Sequence, residues 1–242
     1  MADPLYGEAL AAIQVAAFGD AARGAVPGLL SELRAAGHRA GRVVDLGCGG
    51  GDWLAALDAA GYDAVGYEPS PHLAAHARRL AAGARVFEGG VEDASLDGAV
   101  AVTALGEVFN YLVPGVRTPP LARRFARIGR ALPRGGLLAF DLIVAGAPAM
   151  RYRTWNEGPG WLLAVELREW PARGLAERSI RIFRRGEDRI WQDGLERHRI
   201  RVPSRSAVVA ALRDAGFSVR TRRCWGDHPL APRRLAFLAR KR

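Results

Sequence analysis

The sequence predicts a doubly wound α/β fold, a mostly parallel sheet with helices on both faces. Three observations carry this. Short apolar runs alternate five times with helical patterns between residues 42 and 142, which is the rhythm of βαβ units. The first run, Val43-Val44-Asp45-Leu46, passes into Gly47-Cys48-Gly49-Gly50-Gly51-Asp52, a glycine turn that opens a helix. The fourth run, Val100–Leu105, is apolar throughout, as a strand covered on both faces should be.

The elements follow in order. Residues 5–18 read as an amphipathic helix through Leu5, Ala9 and Ile13, and a second helix starts near Pro27 and stops at Gly37. Strand one is Arg42–Leu46; its helix runs from Asp52 or Trp53 to about Ala60, and Gly61 ends it. Ala64–Tyr67 forms strand two and closes on Glu68. Ser70 then caps a helix opened by Pro71, with Leu73, Ala74, Ala77 and Leu80 as its buried stripe. Arg85–Phe87 is a brief third strand. After strand four, Thr118 and Pro119 start a helix through Phe125, Ile128 and Leu132, and strand five is Leu137–Leu142.

Then the rhythm changes. Residues 161–170, 177–184 and 189–202 read as three strands with no helix between them, an antiparallel insertion. Ser204 caps a last helix ended by Gly216, and Phe217–Trp225 and Leu235–Arg240 close the chain as two strands.

Composition bounds the function. The 242 residues, 49% hydrophobic, suffice for one sizeable domain with an insertion. The net charge of +10 raises nucleic acid or an anionic membrane as partners. The arginines, however, are spread from Arg23 to Arg242, and Lys241 is the only lysine. That pattern reads as a solvated basic surface with no membrane partner, while nucleic acid stays an open alternative. Two cysteines are too few for a disulfide framework and fit a reduced, cytoplasmic setting. The apolar stretch Ala9–Phe18 is interrupted by Gln14, flanked by Glu8 and Asp20, and lacks a basic leader, so it does not read as a signal peptide. No segment is long enough to span a bilayer, and no metal site is assigned.

Ligands on such sheets sit beyond the carboxyl ends of the strands, where strand order reverses. The residues there are Asp45, Glu68, the Gly90–Asp93 turn, Leu105-Gly106-Glu107 and Asp141. Glu68 lies 21 positions after Gly47, the right separation for a carboxylate that accepts from ribose hydroxyls. A dinucleotide fingerprint would need a glycine where Asp52 stands. Asp45 would also repel a pyrophosphate by several kcal/mol at an effective dielectric of about 20. No Gly-Lys-Ser/Thr follows the glycines, so the P-loop is excluded too. An acid at Asp45 suits a ligand with a positive centre, such as an α-amino group; helix capping is the structural alternative for Asp45 and Glu68.

At these residues the sequence resembles the class I S-adenosylmethionine-dependent methyltransferases. Val43–Gly51 looks like their first motif, Val65-Gly66-Tyr67-Glu68-Pro69-Ser70 like their second, and Ala104–Leu112 like the segment after strand four in a small-molecule branch. The likeness covers about residues 40–145 and resumes at Gly216–Arg240. It implies a Rossmann-like, mostly parallel seven-stranded sheet in a single methyltransferase domain. Within it, residues 1–40 would be a helical cap, 41–145 and 203–242 the core, and 146–202 the insertion or substrate lid.

By that resemblance, Asp45, Gly47 and Gly49 hold the methionine moiety, Glu68 the ribose, and Pro69 lines the adenine; Cys48, in the same turn, is a cofactor-binding candidate with a small packing role as its alternative. Val91 and Glu92 of the following turn, with Leu105 and Gly106, complete the cofactor contacts. The turn departs from the family, which usually has Asp, Asn or Ser where Val91 falls. Tyr6 and Phe18 would form a lid.

Methyl transfer from a sulfonium is an in-line displacement that needs alignment and exclusion of water, and a base only if the acceptor must lose a proton. Glu107 and Tyr111 at strand ends are the catalytic candidates, with Asn110 and Asp141 beside them for the acceptor. In strand 195–202, Glu196 and His198 share the apolar face with Ile200 and Val202. His198 is therefore a third catalytic candidate and Glu196 an acceptor-binding one; a cross-strand pairing with Arg178 or Arg181 is the structural alternative. Trp155, Trp161, Trp170 and Trp191 fit either a pocket or the core of the insertion. The expected function is methylation of O or N on a small molecule, as a monomer or homodimer; RNA methylation and a non-catalytic cofactor-binding module are the alternatives.

Overall fold

The computed structural model describes residues 5–185 and 191–242. Two helices come first, α1 (Glu8–Ala17) and α2 (Gly19–Ala35). Strands and helices then alternate: β1 (Arg42–Leu46), α3 (Asp52–Ala59), β2 (Asp63–Glu68), α4 (Pro71–Leu80), β3 (Arg85–Glu88) and β4 (Ala99–Ala104). A 3-10 turn at Val108–Asn110 leads into the short β5 (Tyr111–Leu112), then α5 (Leu121–Ala131) and β6 (Leu137–Ile143). Next come β7 (Arg151–Gly158), β8 (Trp161–Trp170), β9 (Leu175–Arg185) and β10 (Trp191–Arg201). The chain closes with α6 (Arg205–Asp214), β11 (Phe217–Arg222), β12 (Cys224–Trp225), β13 (His228–Pro229) and β14 (Arg234–Lys241).

The main sheet has seven strands in the order β11-β14-β6-β4-β1-β2-β3. Six run in one direction, and β14 alone lies antiparallel, between β6 and β11. From β1 the chain builds outward through β2 and β3, then crosses back to β4 on the other side. The crevice between the ends of β1 and β4 is the expected binding place. Alternation along the strands feeds two cores. Val43 and Ala139 pack under α2 and α3, while their neighbours Val44 and Phe140 pack under α5 and α6.

The second sheet, β5-β10-β9-β8-β7, is antiparallel and stands over the carboxyl ends of the first. Ile200, Leu167 and Ala176 pack on Ile143 at one end; Leu163, Ile180 and Ile182 pack on Leu10 and Ile13 of α1 at the other. The insertion thus has one strand more than expected, and β5 joins it from a distant part of the chain. β7 escapes the periodicity because it is a sheet edge exposed along nearly its whole length, so burial imposed no apolar alternation on it. Residues 189 and 190 of the expected third strand lie outside the described residues.

Other boundaries shift for local reasons. Pro27 lies inside α2 rather than at its start, and α5 begins at Leu121 because Pro119 and Pro120 precede it. α1 begins at Glu8, since Tyr6 adopts a left-handed φ of 54°. Of the four tryptophans, Trp155 and Trp191 are exposed (71% and 56%), so neither belongs to the core of the insertion. Among the described residues, no single helix is long and apolar enough to cross a membrane, and no three His, Cys, Asp or Glu side chains cluster as metal ligands.

Candidate functional site

The floor of the site is the β1 tip and its glycine turn. Asp45 sits beside Gly66 of β2 and Thr103 of β4, so a central strand buries it. Trp53 Nε1 donates to Thr103 Oγ1 (3.1 Å), and Thr103 donates to Asp45 Oδ1 (2.6 Å). Burial pushes the Asp45 carboxyl up to about 7; the Thr103 hydroxyl opposes this and the charge of Glu68 adds to it. Gly47, Gly49 and Gly51 all have left-handed φ (68°, 55° and 92°). A Cβ on Gly47 would lie 2.6 Å from Val108 and one on Gly51 2.8 Å from Ala77, whereas one on Gly49 would meet nothing within 4 Å. Two of the glycines are therefore demanded by packing, and the middle one faces open space.

Glu68 accepts from the N–H groups of Gly49 and Ser70, both at 2.9 Å. It ties the glycine turn to the N-terminus of α4. Burial raises its carboxyl, against those two donors. Among the described residues, neither Asp45 nor Glu68 pairs with a Lys, Arg or His within 4.0 Å, although the chain has 35 Lys and Arg. Two buried acids without a counter-ion are costly and leave this end of the sheet open to a ligand that brings a cation or hydroxyl donors.

The wall facing this floor is built by Asp141. Its carboxylate accepts from the N–H groups of Gly106 and Glu107, each at 3.0 Å. Both residues are left-handed (φ 82° and 61°), which for Glu107 is a strained conformation held by that clamp. Glu107 is thereby turned against Arg178 (2.8 Å) and Arg234 (3.2 Å). Burial alone would raise its carboxyl, but the two guanidiniums outweigh burial and hold it below the ordinary value. Its second oxygen, Oε2, is buried without a partner. A Cβ on Gly106 would meet nothing within 4 Å, so this turn, like Gly49, borders open space.

The roof comes from the antiparallel sheet and the N-terminal segment. Glu196 and His198 on β10 are buried, and His198 Nε2 lies 2.8 Å from Glu196 Oε2. Tyr6 covers them, with its ring 5.1 Å from that of His198. Its hydroxyl meets that of Tyr111 at 3.1 Å, and Arg178 donates to Tyr111 at 3.3 Å. Burial raises both phenols, Tyr6 most, so they are hydrogen-bonding groups and not phenolates at neutral pH.

The structure redistributes several expected roles. Asn110 does not line the site. It is fully buried, donating to the Ile143 and Arg201 carbonyls (2.9 and 2.6 Å) and accepting from Ile143 N (3.0 Å). It rivets the two sheets together, and Asn110→Ala is expected to lower unfolding stability by roughly 2–4 kcal/mol by leaving buried backbone groups unpaired, measurable by chemical denaturation. Asp141 builds the turn instead of meeting an acceptor, and both Glu196 oxygens are already occupied. Arg178 pairs with Glu107, not with Glu196 or His198.

On the adenine side, Glu92 turns to Arg124 on α5 (2.6 Å), and Val91 packs against the core beneath α5. Pro69 is exposed beside Glu68, and Leu105 is partly buried. Cys48 packs beside Gly66, and burial pushes its thiol far up, away from reactivity. Phe18 packs on Trp161 (6.3 Å). Arg178 and Arg234 were not expected in the site. An arginine among the inward positions Ala176, Ile180 and Ile182 was the signal for the first; Arg234 carries none in the sequence.

The sugar N-methyltransferase KedS8 from Streptoalloteichus superposes with a TM-score of 0.73 at 24% identity, covering 100% of this chain and 98% of that one. The amino pentose methyltransferase CalS10 from Micromonospora echinaspora gives 0.70 at 20%, with full coverage of both chains. The CcbJ methyltransferase from Streptomyces caelestis gives 0.75 at 15%, covering 98% and 97%. These likenesses show the fold. No curated protein matches the chain significantly. The profile of the methyltransferase domain family, in contrast, matches residues 19–222, most of the sequence. The chain belongs to that methyltransferase domain family.

Proposed function

We propose that this chain methylates an oxygen or nitrogen of a small-molecule acceptor, held between the glycine turn and the inner face of the antiparallel sheet. The residues present fit S-adenosylmethionine: Asp45 and Glu68 are buried acids lacking a cation, and Gly49 leaves the cradle open. That pair carries the reading. Asp45 would hold the amino acid head and Glu68 the ribose. When bound, the cofactor supplies a methyl group on a sulfonium, a leaving group that is already good.

The protein's own part is to orient the acceptor and accept its proton. Two buried, unpartnered lone-pair sites support this, Glu107 Oε2 and His198 Nδ1. Both suit an N–H or O–H donor. Tyr6 and Tyr111 supply hydroxyls to orient it, and Tyr6 with α1 excludes water. KedS8 and CalS10, whose names place them on sugars, match this chain along its whole length and support a small acceptor.

Native mass spectrometry of the purified chain tests the donor directly, as retained S-adenosylmethionine or its demethylated product. Titration with that product, S-adenosylhomocysteine, adds a pH signature. Below about 7 the free Asp45 carboxyl is protonated and attracts no ammonium; above it, the carboxyl is ionised. Affinity should therefore tighten as pH rises through about 7, by at most about tenfold per pH unit for one proton, and the dependence should vanish in Asp45→Asn. A dissociation constant flat between about pH 6 and pH 8 in the unsubstituted chain would remove Asp45 from the cation site. The same shift makes the free chain less stable as pH climbs from about 4 towards 7, since the folded state holds that proton more tightly than the unfolded one.

A further inference from the structure

Glu196 makes three hydrogen bonds with one carboxylate. Oε2 accepts from Tyr6 N (2.9 Å) and meets His198 Nε2 (2.8 Å), while Oε1 accepts from Gly7 N (2.9 Å). The left-handed φ of Tyr6, 54°, lets these consecutive N–H groups converge on a single anion. The Tyr6 carbonyl accepts from Ser70 Oγ at 2.6 Å, and Ser70 N donates to Glu68. An unbroken chain of bonds thus crosses the crevice, from His198 through Glu196, the Tyr6 backbone and Ser70 to Glu68 on the cofactor side.

The imidazole is defined by this contact. With a carboxylate at Nε2, that nitrogen carries the proton, and in the neutral ring Nδ1 is left as the lone pair. Nδ1 is buried and unpartnered, so no other group fixes the tautomer. The strap that contributes two donors to Glu196 also lays the Tyr6 ring over His198.

We propose that Glu196 is a positioning residue that couples seating of the Tyr6–Gly7 strap over the site to the tautomer and orientation of His198. The inference rests on the reading of His198 as proton acceptor. When the strap seats, Glu196 gains two N–H donors and is fixed in place. Held there, it keeps His198 with its proton on Nε2 and its lone pair on Nδ1. When the strap lifts, the carboxylate is freed and the ring loses its cover together with its tautomeric restraint.

Two readouts that need no acceptor test this, each on the chain and on Glu196→Gln, with and without S-adenosylhomocysteine. One is the long-range proton–nitrogen NMR spectrum of the imidazoles, assigned through His198→Asn. The other is the rate of limited proteolysis within residues 5–20. The coupling predicts an Nε2-protonated His198 in the unsubstituted chain, a mixed or shifted tautomer in Glu196→Gln, and proteolysis at least tenfold faster in that variant. A merely structural role would lower the melting temperature and leave the tautomer alone. A Glu196→Gln chain with both the Nε2 signature and the original proteolysis rate overturns the proposal. Failure of the functional reading looks different: S-adenosylhomocysteine then does not bind the unsubstituted chain, or His198→Asn leaves turnover unchanged, whatever the strap does.

Discussion

Glu107→Gln is expected to lower turnover about a hundredfold, the lower end of what a positioned proton acceptor contributes. The substitution keeps the shape of the side chain and removes its charge. In the native site that charge is held ionised by Arg178 and Arg234 in spite of burial, and one oxygen is left without a partner. The amide would still meet the guanidiniums through its carbonyl, but its remaining position would donate where the carboxylate accepted.

The truncated variant behaves differently. Glu107→Ala leaves two guanidiniums without their shared partner, which costs roughly 3–5 kcal/mol where burial is near complete; the partial exposure of Arg178 and Arg234 (15% and 23%) places the loss at or below that range. The sign with pH follows from the lowered carboxyl. Its stabilisation is present above the ordinary glutamate value and is lost as pH falls through the lower folded one, so Glu107→Gln should flatten the acid limb of the stability curve. Turnover is read as S-adenosylhomocysteine released with any acceptor the unsubstituted chain methylates. Rates equal within twofold would take Glu107 out of the chemistry.

Glu68→Ala should raise the dissociation constant for S-adenosylhomocysteine by tenfold or more, about 1.4 kcal/mol or above. Two losses combine. The ribose loses its carboxylate, and the Gly49 and Ser70 N–H groups lose the acceptor that aligns the glycine turn with α4. Glu68→Gln keeps one acceptor oxygen and should fall between the variant and the parent. Calorimetric titration decides, and an unchanged constant in both variants would dismiss Glu68 as a ligand group.

The site divides by how far its causes lie apart along the chain. Asp45, the glycine turn and Glu68 are legible because backbone geometry demands their spacing: left-handed glycines after a buried strand, and an acid at the tip of the next strand in parallel register. Their chemistry is local, so the residue types announce it. His198 and Glu196 are half legible. Alternation places both on the inward face of β10, but nothing in it says that Glu196 reaches residues 190 and 189 positions away, at Tyr6 and Gly7.

Asn110 and Asp141 suit either an acceptor or a cap from their strand-end positions alone, and the structure occupies both with backbone groups. Polar residues at strand ends suggest ligand contacts, yet here Asn110 satisfies backbone groups of both sheets, and Asp141 satisfies the N–H groups of the turn after β4. β7 was missed because an exposed edge carries no burial constraint for a sequence pattern to record.

By itself, then, the sequence determined the parallel order of the early strands, the glycine cradle and the acids that flank it. Each arises from periodicity or dihedral requirements within a few tens of residues. Only the tertiary structure decided which acids are left without a counter-ion and which pair with the protein's own groups, and that Arg178 and Arg234 converge on Glu107. Those pairings depend on two sheets packing against each other, and the electrostatics of a buried charge are set by whatever neighbours the fold brings within a few ångströms, however distant in the chain.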